Sequence, residues 1–94
     1  MSKALTAEKA IYIRNKLGLH ARASAKLATE ASRFEANIML IKDDIEVNCK
    51  SIMGIMMLAA CKGTQLKLRA EGSDAEDALD AITALVNAYF GEGG

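Results

Sequence analysis

The sequence predicts an α+β fold, with four antiparallel strands forming a sheet and three helices covering one of its faces. Segments with apolar residues at every second position alternate with segments in which apolar residues recur every three or four positions. The resulting order is strand, helix, strand, strand, helix, strand, helix. At 94 residues the chain suits one domain with one core. We expect residues 1–94 to form that domain and residues 1–7 to be a flexible extension.

The first strand and helix are predicted on either side of a short glycine-containing loop. Ile11 and Ile13 alternate with Tyr12, which is typical of a strand over Ala10–Arg14. The following segment, His20–Phe34, has the apolar spacing of an amphipathic helix. The residues of its apolar stripe are Ala23 or Ser24, Leu27, Ala28, Ala31 and Phe34.

The middle of the chain predicts a hairpin and then a short apolar helix. Ala36–Ile41 and Ile45–Cys49 have the composition of strands, and the acidic pair at positions 43 and 44 suits the turn between them. Ser51 precedes a run of apolar residues, where its hydroxyl can accept a free backbone amide as a helix N-cap. Gly63 is the predicted stop.

The last strand and helix follow the same logic. Gln65–Ala70 alternates apolar with basic residues, as in a strand buried on one face. Ser73 and Glu76 have the spacing of a capping box and predict a helix that Gly91 ends. The predicted apolar stripe of that helix is Ala78, Leu79, Ile82, Leu85, Val86, Tyr89 and Phe90. This order of elements also fits a ferredoxin-like topology with an added helix, so periodicity leaves the strand arrangement open.

Composition excludes several classes of function. Twelve basic and twelve acidic residues balance, which argues against a nucleic acid or an anionic membrane as partner. The N-terminal residues contain no long apolar run, so we expect no membrane insertion and a cytoplasmic protein. Cys49 and Cys61 lack Cys-x-x-Cys spacing and are expected to be reduced, packed thiols.

His20 is the only histidine, and it lies at the predicted junction between the first strand and the first helix. It could be a structural cap. It could also be a nucleophile, because a neutral imidazole can accept a phosphoryl group and a helix N-terminus favours an anion. Arg22 could add charge-assisted hydrogen bonds to that anion, and Gly18 would allow a partner to approach the backbone closely.

The apolar run after Ser51 is a second candidate site. Its methionines and isoleucines outnumber what one face of a short helix needs to bury, so part of the run could be an exposed, adaptable docking patch. Ser51 would then be more than a helix cap.

Two segments resemble one family. The sequence KLGLHAR at residues 16–22, followed by KSIMG at residues 50–54, is similar to HPr, the histidine phosphocarrier family of the bacterial sugar phosphotransferase system. The resemblance covers roughly residues 11–90. It implies an open-faced β-sandwich of βαββαβα order, with a four-stranded antiparallel sheet and three helices.

The resemblance also implies the roles of individual residues. His20 would accept a phosphoryl group from Enzyme I on its δ nitrogen and pass it to an Enzyme IIA component of a sugar permease. Arg22 would stabilise the phosphate. Ser51 would be the regulatory site of HPr kinase/phosphorylase, where that enzyme exists, and the partners would dock on Ile52, Met53 and Met56.

The sequence departs from the family where Ala23 replaces the usual proline after the arginine. Proline favours the first turn of a helix, so alanine is expected to loosen the helix entry while leaving a free amide for the anion. Two alternatives stay open: a carrier of the nitrogen-related branch, which serves regulation, and a small effector-binding regulatory domain. The Ser-Ile-Met-Gly sequence favours the sugar branch.

No second acid, base or metal-ligand cluster accompanies His20 in the sequence. We therefore expect a stoichiometric carrier rather than an enzyme, without a metal or a cofactor, and a monomer.

Overall fold

The computed structural model describes residues 6–92, in which strands and helices alternate in the predicted order. The predicted acidic turn joins the second and third strands, and Asp43 adopts a positive φ of 53° there. The elements are β1 (Thr6–Tyr12), α1 (Ala21–Ala31), β2 (Asn37–Lys42), β3 (Ile45–Asn48), α2 (Ile52–Met57), β4 (Gln65–Glu71), α3 (Ala75–Asn87) and a 3-10 turn (Tyr89–Gly91).

The four strands form one antiparallel sheet in the order β1-β4-β2-β3, so β4 and β2 occupy its centre. Along β4 the apolar residues Leu66 and Leu68 are buried, whereas the polar residues Gln65 and Lys67, which alternate with them, are exposed. This alternation packs one face against the helices and leaves the other to solvent. The predicted sheet with three helices on one face is confirmed.

The core combines the buried sheet face with the apolar stripes of the helices. Leu27 of α1, Ile55 of α2 and Ile82 of α3 are each fully buried, next to Leu40 and Leu68 of the central strands. Both long helices bury most of the residues that the sequence predicts. Phe34 and Leu85 are only half-buried against this core, and Tyr89 is exposed in the turn that follows α3.

Several predicted boundaries are wrong. β1 begins at Thr6, where Thr6 pairs with Glu71 and Ala7 with Ala70, so the flexible extension predicted over residues 1–7 is wrong at these two positions. Residues 1–5 lie outside the described residues. α1 ends at Ala31 instead of Phe34, and α2 ends at Met57, well before Gly63.

The capping box predicted from Ser73 and Glu76 is also wrong, because α3 begins one residue later than that spacing requires and no side chain caps it. Asp74 is the N-cap residue, yet its carboxylate accepts hydrogen bonds from the backbone N–H groups of Glu35 and Ala36, each at 2.9 Å. These bonds, that of Glu35 first, lower the pKa of the carboxyl below its ordinary 3.8. Asp74 thus ties the α1–β2 connection to the start of α3.

We expect Asp74→Asn to reduce the free energy of unfolding at neutral pH. The Asp74 carboxyl has a lower pKa in the folded than in the unfolded chain, so it stabilises the fold at pH values above its pKa in the unfolded chain. This stabilisation is lost as the pH falls through its pKa in the folded chain. The difference between parent and variant should therefore shrink below pH 3.8. Thermal unfolding across this range measures it, with Asp80→Asn on the exposed side of α3 as control. A difference that does not change with pH would contradict the assignment.

A second close contact fixes the loop between β1 and α1. Gly18 has a φ of +69°, and a Cβ at this position would lie 2.5 Å from the carbonyl oxygen of Ala60 and 2.8 Å from the Cα of Cys61. Only glycine allows both the backbone conformation and this approach to the neighbouring backbone. The loop therefore lies directly against the segment that follows α2.

Gly18→Ala should destabilise the protein more than Gly63→Ala does. Gly63 has a φ of +90° but open space around it. Gly63→Ala should therefore lose only the free energy of placing alanine in left-handed backbone, about 1–2 kcal/mol. Gly18→Ala adds a steric conflict with backbone atoms that cannot turn away. Urea unfolding of both variants isolates the contact, and equal losses of stability would show that the close approach contributes nothing.

Candidate functional site

The loop that precedes α1 is rigidly held at one end of the sheet. Asn15 is fully buried, and its side-chain amide donates to the carbonyl oxygen of Gly18 at 2.8 Å. The backbone N–H of Gly18 donates in return to the carbonyl of Asn15 at 3.2 Å, and that of Leu19 donates to Ala60 at 2.9 Å. These bonds deliver the next residue, His20, to the start of the helix in a fixed orientation.

His20 is the N-cap residue of α1. Its backbone is extended, and its carbonyl accepts the first bond of the helix, from the Ser24 N–H at 2.8 Å. Its Nδ1 faces the backbone N–H of Arg22 at 3.3 Å, in the way that a serine or aspartate oxygen usually caps a helix. The structural and the chemical interpretation of His20 are therefore compatible, because the nitrogen that caps the helix is also the one that carries the in-plane electron pair of the ring.

The other ring nitrogen of His20 contacts a residue that sequence reasoning missed. Nε2 lies 2.7 Å from Oε2 of Glu92, although the two residues are 72 positions apart. Oε1 of the same carboxylate accepts from the Asn15 side-chain amide at 3.0 Å. No local motif marks Glu92, because its role depends on where the chain turns after α3.

These partners favour one tautomer of the ring. Nδ1 faces a donor and must accept, whereas Nε2 faces a carboxylate and must carry the hydrogen. The hydrogen bonds from Asn15 and His20, opposed by desolvation, lower the pKa of Glu92, so the carboxylate stays charged near neutral pH. In this tautomer the electron pair of the ring lies on Nδ1, at the N-terminus of α1.

Arg22 and Ala23 follow in the first turn of α1. Arg22 is exposed, and among residues 6–92 its guanidinium has no hydrogen-bond partner. Ala23 is fully buried. The helix begins at Ala21 without the proline that is usual in similar sequences, and the hydroxyl of Ser24 donates to the carbonyl of Leu19 at 3.1 Å across this entry.

Ser51 caps α2, as its position in the sequence predicts. Its Oγ accepts from the backbone N–H of Gly54 at 3.0 Å. A Cβ on Gly54 would lie 3.3 Å from that oxygen and 3.3 Å from the Cβ of Val47, so a glycine suits this close contact. Ser51 is thus a structural cap that packs closely against the first turn of α2.

The exposed side of α2 forms an apolar patch, defined here as Ile52, Met53, Met56 and Met57. Met53 and Met57 are 75% and 73% exposed, while Ile55 faces the core. The sequence predicted three members of the patch and missed Met57. The sequence analysis also missed Leu17 as an exposed apolar residue, 69% of which is accessible. It lies in the loop whose Leu19 N–H is hydrogen-bonded to Ala60, in the segment after α2.

Other candidate chemistry is limited in this part of the chain. Residues 6–92 contain no group of three or more histidine, cysteine, aspartate or glutamate side chains that could hold a metal ion, and none of the helices described there is long and apolar enough to cross a membrane. Both thiols are free, but the prediction of packed thiols is right only for Cys49. Burial raises the pKa of Cys49 to about 12, whereas Cys61 is exposed.

Comparison with known proteins agrees with this arrangement. Residues 7–88 match the family described as PTS HPr component phosphorylation site. The phosphocarrier protein HPr of Neisseria meningitidis serogroup A is 54% identical over 86 residues, which cover 92% of this chain and 97% of that protein. The phosphocarrier protein NPr of Shewanella violacea is 46% identical over 85 residues, or 90% and 93% of the two chains.

The fold is also shared with a solved structure. The crystal structure of HPr-C-His from Thermoanaerobacter tengcongensis superimposes with a TM-score of 0.90 at 46% identity, covering 94% of this chain and 99% of that one. This match sets aside the ferredoxin-like arrangement that periodicity left open. The chain therefore belongs to the HPr family of phosphocarrier proteins.

Proposed function

We propose that this chain carries a phosphoryl group on Nδ1 of His20, accepting it from Enzyme I and passing it to an Enzyme IIA component of a sugar permease. The observation that supports this most directly is the state of the ring. Nδ1 presents an electron pair to the N-terminus of α1, while Nε2 is engaged by Glu92. A nucleophile in this state needs no base to activate it.

The surroundings of Nδ1 suit the product of that step. A phosphoryl group on Nδ1 would meet the unpaired amide groups and the positive dipole end of α1, which stabilise an anion. Arg22 would supply a guanidinium from the same turn, and an arginine–phosphate pair is a strong, charge-assisted contact. One acceptor nitrogen on each chain makes the protein a stoichiometric carrier within the relay, not a catalyst.

Partner docking is proposed on the patch formed by Ile52, Met53, Met56 and Met57. Exposed methionines adapt to differently shaped partners, and a carrier must bind a donor and an acceptor in turn with one surface. We further propose that the relay acts in the cytoplasm, where the free thiol of Cys61 would stay reduced.

A nitrogen-branch carrier is the second candidate, supported by the similarity to the Shewanella NPr. The Ser-Ile-Met-Gly sequence at residues 51–54 favours the sugar branch. Transfer from the phosphorylated chain to a sugar-type Enzyme IIA, measured beside transfer to a nitrogen-type one, separates the two.

Ser51 is proposed as a regulatory phosphorylation site. A phosphate there would add about −1.5 to −2 charges at a helix N-terminus, which tolerates negative charge. The same charge would lie next to the apolar patch, where docking would have to remove its water. Phosphorylation would therefore weaken partner binding without unfolding the protein.

The central test is incubation with Enzyme I and phosphoenolpyruvate. The parent should acquire acid-labile phosphate, while His20→Ala and His20→Asn should acquire none. Asparagine is a good N-cap and keeps the start of α1 while removing the nucleophile. Acid-labile phosphate on the folded His20→Asn variant would exclude His20 as the acceptor.

The regulatory role is tested with Ser51→Asp and a matched Ser51→Ala variant. Aspartate keeps the cap and adds charge, so labelling of His20 should slow while the melting temperature stays close to that of the parent. Alanine removes the cap, at a cost of about 1 kcal/mol, and adds no charge, so labelling should stay near the parent rate. If both variants slowed labelling equally, loss of the cap and not the charge would be responsible.

A further inference from the structure

The segment after α3 folds back over the start of α1 in a conformation that is unfavourable for two of its residues. Tyr89 and Phe90 have φ values of 60° and 54°, and Gly91 follows at 78°. Left-handed backbone is unfavourable for residues with a Cβ and persists only where surrounding contacts enforce it. Other contacts must therefore offset the backbone strain of this turn.

Several contacts hold this turn in place. The side chain of Phe90 is almost completely buried, and its carbonyl oxygen accepts from Nζ of Lys26 on α1 at 2.6 Å. The backbone N–H of Glu92 closes the turn onto the carbonyl of Tyr89 at 2.8 Å. The anchored turn ends with the Glu92 side chain directed at the candidate site.

The carboxylate of Glu92 is fixed at both oxygens. Its side chain is only 16% exposed, and its two oxygens accept hydrogen bonds from His20 and from Asn15. The orientation of the Asn15 amide is fixed, because its nitrogen donates to two acceptors, Glu92 and the carbonyl of Gly18, and a flipped amide would place its oxygen against both. Its own oxygen is buried with no partner among residues 6–92. Asn15 thus leaves an acceptor unsatisfied while orienting this carboxylate.

We infer that Glu92 is a positioning residue for phosphoryl transfer: it holds His20 in the tautomer with an unprotonated Nδ1 and balances the charge that transfer creates on the ring. The inference rests on the proposed function. Without Glu92, only the 3.3 Å contact between the Arg22 N–H and Nδ1 would favour this tautomer, and a ring protonated on Nδ1 has no electron pair there. Carboxylates that bind the second nitrogen of a functional histidine set its tautomer in the same way.

The transfer step shows where the charge develops. The electron pair of Nδ1 forms the new bond to phosphorus, the bond from phosphorus to the donor breaks, and its electron pair stays on the donor. The hydrogen remains on Nε2, so the ring becomes a cation that faces the Glu92 carboxylate at 2.7 Å. Onward transfer reverses these changes and returns the neutral ring. Lys26, the neighbouring cation, is engaged by the Phe90 carbonyl.

The test is Glu92→Gln, with Glu76→Gln at the opposite end of α3 as matched control. Glutamine offers one acceptor oxygen to two donors and carries no charge. Phosphorylation of His20 by Enzyme I should slow about tenfold in Glu92→Gln, which corresponds to roughly 1.4 kcal/mol of transition-state stabilisation, and should be unchanged in Glu76→Gln. The ¹⁵N chemical shifts of the His20 ring should move from the Nε2-protonated pattern towards a mixture of tautomers.

A second variant perturbs the turn but keeps the carboxylate. Gly91→Ala places a Cβ 3.3 Å from Nζ of Lys26 at a positive φ, so transfer should slow by a smaller factor, with a partial change of the ring shifts. Rates are compared at a temperature where circular dichroism shows every variant folded.

A parent-like rate for Glu92→Gln, or ring shifts identical to those of the parent, would overturn the inference. If the parent itself accepted no phosphate, the proposed function would fail, whereas unchanged ring shifts in the variant would refute the contact with Glu92 alone.

Discussion

The close contact between Gly18 and the backbone after α2 determines how the loop before α1 packs against the rest of the fold. A Cβ there would lie 2.5 Å from the Ala60 carbonyl, and the neighbouring Leu19 N–H is bonded to that same oxygen. The start of α1 is thereby held next to the end of α2, and the exposed side chain of Leu17 belongs to the same loop. Backbone hydrogen bonds consequently connect the loop that leads to His20 with the segment that follows the apolar patch of α2.

At the site itself, the imidazole lies between two opposite electrostatic environments. One ring nitrogen faces the N-terminus of α1, whose amides favour negative charge, and the other faces the Glu92 carboxylate, which favours positive charge. A phosphorylated ring has the matching polarity, with the anionic phosphate towards the helix and the cationic ring towards the carboxylate. The site is therefore complementary in charge to the phosphorylated state that we propose, and a strained turn after α3 supplies the carboxylate.

Sequence patterns predicted the elements that depend on local periodicity, and they failed where a contact joins distant residues. The stripes of α1 and α3 and the cap at Ser51 are local, and they were found. Ser73 and Glu76 have the spacing of a capping box, but the helix N-cap is Asp74, and its carboxylate binds backbone amides 38 and 39 positions away. His20 was recognisable by position and motif, whereas Glu92 depends on left-handed residues that no propensity indicates. The start of β1 was missed because pairing with β4, not its own alternation, makes Thr6 and Ala7 part of the sheet.

The replacement of proline by Ala23 changes how the entry to α1 is fixed. Proline would restrict φ in the first turn, but it would also remove an N–H from the helix end. Here the entry is fixed instead by hydrogen bonds, because the Ser24 hydroxyl donates to Leu19 and the Ser24 N–H to His20. The amide of Ala23 precedes this first intrahelical bond, so it remains one of the unpaired donors of the helix N-terminus. The substitution thus exchanges conformational restriction for an additional hydrogen-bond donor at the end of the helix where an anion is stabilised.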